Sequence, residues 1–130
     1  MSYDTLFANP AGRTARGAFV RALMPLLAAA ALYFFLVRTR NGDWVLVTLL
    51  YPAAMLHARR LHDMGHTAWL LLIPGVLDVT AICLHMGSYH SDLQPAVNLA
   101  ALVVSAGFVI WALAGRGQAE DNRFGKAVTA

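Results

Sequence analysis

The sequence predicts an all-α integral membrane bundle of four transmembrane helices, with residues 1–130 forming one membrane domain and both termini on the cytoplasmic side. Three observations lead there. Hydrophobic residues make up 58% of the chain and charged residues only 13%, where soluble domains carry about a quarter charged residues. Four apolar stretches approach the ~20 helical residues that cross ~30 Å of hydrocarbon. The basic residues then fall almost entirely on one side of the resulting topology, the side that positive charge marks as cytoplasmic.

The first span covers about residues 19–37, with Arg21 its only charge. It is followed at once by Val37-Arg38-Thr39-Arg40 with no small-x-small site, so it reads as a retained helix and not a cleaved leader. Pro25 is expected in its first turns, where a missing N–H costs least. The second span covers about residues 44–60. Its apolar part ends at Ala58, so the helix is expected to continue through Arg59 and Arg60, their side chains snorkelling to the interface. A re-entrant or interfacial segment is the competing reading for this stretch. The third span covers about residues 68–86 and contains Pro74-Gly75, which should kink it. The fourth covers about residues 96–114, and its small residues (Ala100, Ala101, Ser105, Ala106, Gly107) suit close helix packing within or between subunits. Trp44, Trp69 and Trp111 stand near span ends, where interfacial anchors belong.

With the N-terminus inside, the cytoplasmic side holds Arg13, Arg16, Arg21, Arg59, Arg60, Arg116, Arg123 and Lys126, and the other side only Arg38 and Arg40. No repeat or long linker breaks the chain. The first eleven residues and the last few are expected to be mobile. The single cysteine, Cys83, cannot form an internal disulfide, and its apolar neighbours suggest a small buried hydrophobe.

Polar residues collect in three motifs: Gly12-Arg13-Thr14-Ala15-Arg16-Gly17-Ala18-Phe19, Arg59-Arg60-Leu61-His62-Asp63-Met64-Gly65-His66-Thr67-Ala68-Trp69, and Asn122-Arg123-Phe124-Gly125. In this order they resemble the bacterial inner-membrane proteins of domain-of-unknown-function family 805. Those proteins carry GRxxRxxF before the first helix, RRLHDxGxSGWW before the third, and an NRYG-like tail. Here Thr67-Ala68 replaces the small pair, only Trp69 of the two tryptophans is present, and Phe124 stands for the tail tyrosine. The resemblance spans nearly the whole chain and implies a small multi-span protein of the bacterial inner membrane. It implies no particular activity.

On their own terms, Arg13 and Arg16 share a helix face, and Arg59 and Arg60 lie within helical reach of Asp63, so an ion pair could hold this junction. Gly65 permits the turn into the third span. Arg13, Arg16, Arg59, Arg60, His62, Asp63, Asn122 and Arg123 all fall on the cytoplasmic rim. They read either as loop ties obeying the charge rule or as a basic pocket for anionic lipid headgroups or a partner protein. His62, Asp63 and His66 have a spacing worth testing against a metal, but Gly65 interrupts the interval and no further ligand completes the set, so no metal site is expected. His85 and His90 read as solvated loop residues. Asp78 is the one acidic residue deep in a span. It must be protonated, or face the bundle interior or a wet cavity, with Thr80 and Asn98 as candidate partners.

No nucleophile with a positioned base, phosphate loop or cofactor motif is present, so neither an enzyme nor a cofactor is expected. Nucleic acid is an unsuitable partner for few basic residues held at a membrane. Two readings follow. One is a non-catalytic membrane protein whose rim binds anionic phospholipid or a partner protein. The other is a small oligomeric transporter or channel for protons, small ions or solutes that uses Asp78.

Overall fold

The computed structural model describes residues 7–37, 44–87 and 92–128. Arg38, Arg40 and His90 lie outside them. Among the described residues the chain is helical apart from turns and one isolated backbone bridge. Helix α1 is Arg16–Leu32 and runs on into a π-helical turn, Tyr33–Val37. Helix α2 is Trp44–Asp63, a 3-10 turn Ala68–Leu71 leads into α3, Leu72–Met86, and α4 is Gln94–Ala114.

Three of these segments are long and apolar enough to cross a membrane: Arg16–Val37, Ala68–Met86 and Gln94–Ala114, with mean hydropathies of 2.0, 1.8 and 2.2. Only 17%, 6% and 11% of their most apolar windows are buried within the protein. Helices this apolar and this little covered need an apolar medium outside, which the acyl region of a bilayer supplies. The 20 residues of α2 reach about 30 Å at 1.5 Å per residue. Its C-terminal end carries Arg59, Arg60 and Asp63, which keeps it out of that compositional class.

The interior reverses the usual order. Arg13, Thr14, Arg59, Arg60 and Asp63 are buried, while Phe35, Leu36, Trp69 and Leu102 stand exposed. The packed apolar core is small: Phe19, Ala22 and Leu23 from α1, Leu56 from α2 and Ala112 from α4. It lies at the end where α1 begins and where α2 and α4 finish. The polar cluster caps it there.

Several details depart from the sequence reading. Pro25 is the tenth residue of α1 and not in its first turns, so the backbone gives up an interior hydrogen bond there. Pro74 is the third residue of α3, and the expected irregularity appears as the change from 3-10 to α geometry after Leu71. Cys83 is exposed on α3 rather than buried. The approach segment is tied down in its described part: Tyr51 Oη donates to Ala8 O at 3.1 Å and Arg59 Nη1 to Asn9 O at 3.3 Å. Residues 1–6 lie outside the described residues.

Candidate functional site: an arginine clasp and an apolar cavity

Helix α2 reaches Asp63 because its last turn is held from three directions. Gly65 then adopts φ +82°, a left-handed conformation that glycine takes without penalty, and the chain turns back toward α3. This exposes the C-terminal carbonyls of α2 beside those of α4, two sites where the helix dipole favours positive charge.

The arginines fill those sites. Asp63 accepts from Arg13 Nε at 3.1 Å through Oδ1 and pairs with Arg60 Nη1 at 2.5 Å through Oδ2. Arg60 spans further, donating to Ala112 O at 2.9 Å, Gly115 O at 2.6 Å and Thr14 O at 3.4 Å. Arg13 donates to Glu120 O at 2.7 Å and to Gln118 O. Arg16 donates to Ala114 O and Gly115 O, both at 2.9 Å. Arg59 Nε donates to Thr14 Oγ1 at 3.2 Å, while Thr14 N returns a bond to Arg59 O at 3.1 Å. Two buried guanidiniums, Arg13 and Arg60, thus share one buried carboxylate, and carbonyl oxygens supply the remaining negative potential. A side-chain Cβ at Gly117 would run into the Asp63 carboxylate, so this approach of tail to helix requires glycine.

The tail closes the assembly. Asn122 Nδ2 donates to His62 O at 2.9 Å, and Asn122 and Gly125 exchange backbone bonds of 3.0 Å. Phe124 stacks on the His62 ring at 4.0 Å and 7°, with the Arg123 guanidinium 4.6 Å from its centroid on the ring face. Burial lowers the His62 pKa. The charges of Arg123 and Arg59 act the same way, against the raising effect of the Gly12 and Pro10 carbonyls.

The three motifs therefore meet, as do Arg13, Arg16, Arg59, Arg60, His62, Asp63 and Asn122 within them. The snorkelling expected of Arg59 and Arg60 is replaced by burial, at 6% and 1% exposure, because protein carbonyls solvate them better than an interface would. The pair Arg59–Asp63 gives way to Arg13–Asp63, a contact 50 residues apart. His62 goes to Phe124 and Gly12 O, His66 packs against Trp111, and Asp63 is taken by the two arginines. Arg16, Arg21, Arg116, Arg123 and Lys126 keep exposed surface on the same rim. Sequence reasoning gave no role to Thr14 or Phe124, which the first and last motifs contain, and missed Gln118 altogether.

The second feature is a cavity of about 470 Å³ lined by all four helices, with apolar walls broken by His57, Asp78 and Ser105. Asp78 accepts from Ser105 Oγ, at 2.9 and 3.0 Å to its two oxygens. The expected partners differ: Thr80 Oγ1 instead donates to Val76 O on its own helix, and Asn98 is exposed. His57 Nδ1 lies 2.8 Å from Ala53 O, and the ring packs edge-on against Phe19 at 5.0 Å.

Fold and site together define a small helical protein with membrane-spanning segments, sealed at one end by a buried arginine–aspartate clasp. The chain belongs to the family described as Protein of unknown function (DUF805), whose model matches residues 7–126. That range holds all three motifs. No curated protein and no solved structure matches it.

Proposed function

We propose that the protein is a four-span protein of the bacterial inner membrane, both termini cytoplasmic, whose cytoplasmic rim associates with anionic phospholipid headgroups. The supporting observation is the division of labour among the basic residues. Arg13, Arg59 and Arg60 are buried in the clasp, which holds Arg16, Arg116, Arg123 and Lys126 exposed around it. A cluster of exposed cations at headgroup level attracts anionic lipid by about 1 kcal/mol per residue. The same placement supports the proposed topology: the eight basic residues among the described ones gather where α1 begins and α2 and α4 end, and in this reading α2 spans with Trp44 at the opposite interface.

The test is lipid retention in native mass spectrometry after reconstitution in mixed anionic and zwitterionic bilayers. Arg116, Arg123 and Lys126, each changed to Gln, should reduce anionic-lipid retention while leaving the clasp intact. Retention indifferent to those changes and to high salt would remove the reading. A second reading, passage of protons or small solutes through an oligomer, is favoured by Asp78 opening onto the cavity. Liposome flux of the parent against Asp78→Asn checks it, and equal flux in both would reject it.

A further inference from the structure

We propose that the cavity between the four helices is a binding site for a lipophilic primary ammonium, a protonated alkyl- or arylalkylamine, recognised by Asp78. This goes beyond the headgroup reading and stands whether or not the bound molecule crosses the membrane.

The size is that of a small-molecule site: about 470 Å³, within the usual 300–1,000 Å³ of ligand pockets. The walls are apolar, aliphatic but for Phe108, with contributions from every helix, so an occupant must present a hydrocarbon body. What selects its polar end is the sense of the hydrogen bonds in the cavity. The single hydroxyl hydrogen of Ser105 is spent on Asp78. No ion pair is formed by Asp78 among the described residues, and its carboxylate retains unused lone pairs.

The cavity therefore offers one carboxylate, with its hydroxyl donor already engaged. The complement is a positive centre bearing several N–H donors on an apolar body. An acyl chain or hydrocarbon would fill the volume and leave the carboxylate unmet. An anion would face Asp78. An inorganic cation wants six or more oxygen ligands, and the walls supply one carboxylate and one hydroxyl. A quaternary ammonium carries the charge but no N–H for the carboxylate.

The experiment measures equilibrium binding of radiolabelled decylamine to the full chain in nanodiscs of purely zwitterionic lipid, which removes the headgroup attraction of the rim. Decylamine should bind saturably, one per chain, and at least about tenfold more tightly than decyltrimethylammonium or decanol, as a charge-assisted hydrogen bond in an apolar site requires. Asp78→Asn should abolish that preference. Gly75 lines the cavity, and nothing stands within 4 Å of where its Cβ would be. Gly75→Leu thus grows into open space and should block the site. Equal affinity for decylamine and decanol overturns the proposal, since the cavity then takes any chain. So does decylamine binding that survives both Asp78→Asn and Gly75→Leu, or that matches protein-free nanodiscs. The comparison among the three probes needs no variant, so it decides the matter even if a substitution fails to fold.

Discussion

Replacing Asp63 by alanine removes the carboxylate that Arg13 and Arg60 share. Both arginine side chains are 1% exposed and Asp63 is 3% exposed, so water cannot take over its role without opening the structure. Breaking a buried ion pair from one side costs about 3–5 kcal/mol, because the remaining charge is left buried. Here the carbonyls of Ala112, Gly115, Gln118 and Glu120 still solvate the two guanidiniums, which places the expected loss near ~3 kcal/mol, or roughly a hundredfold in the opening equilibrium. The opening should begin at the tail, since Gln118 N donates to Asp63 O and Gly117 packs on the carboxylate itself. The measurement is SDS-induced unfolding of the detergent-solubilised protein, paired with limited proteolysis at residues 116–128. Adding Arg60→Met to Asp63→Ala should cost less than the two single changes summed, as a shared interaction demands. An Asp63→Ala protein within ~1 kcal/mol of the parent, its tail still protected, would refute the clasp.

Gly65→Ala forces a side chain into the left-handed region and toward Gln118; it should cost about 1–2 kcal/mol, read from the same unfolding titration. Arg60→Lys keeps the charge but replaces a planar fork that reaches Ala112 O, Gly115 O and Asp63 with a single ammonium. It should destabilise nearly as much as Arg60→Met, and parity with the parent would show that charge alone matters. His62 is held neutral by burial and neighbouring arginines, its folded pKa lying below the unfolded value of about 6.5. Its contribution is present above that unfolded value and is lost as pH falls through it toward the folded pKa. Tail amides should therefore exchange faster at pH ~5.5 than at ~7.5 after correction for intrinsic rates, and His62→Gln should flatten that difference.

Some of this was legible from residue order alone, and the reasons are local. A run such as Leu70 to Met86 can only be apolar for a medium that is apolar, so the membrane character and three of the helices follow from composition. The continuation of α2 through Arg59 and Arg60 was equally readable, since no proline or glycine stands between Ala58 and Gly65. The placement of Gly65 at a turn follows from its missing Cβ. The Arg60–Asp63 pair, three residues apart, was readable as well; the rest of what those arginines do was not. Their other partners are mainly backbone carbonyls about fifty residues away, and every residue has a carbonyl, so no residue type announces the acceptor.

Asp78 shows the same division. Its depth in an apolar span marked it as unusual, but its partner depended on the register between α3 and α4, which put Ser105 beside it and left Asn98 exposed. That both Asp78 and His57 border one cavity could emerge only when four helices were assembled, because a void belongs to no segment. The chain by itself determined that apolar helices would carry three clustered polar motifs. Tertiary structure alone decided that the buried interior would be charged and the exterior apolar, since desolvating an arginine is tolerable only where the ends of two helices turn their carbonyls toward it.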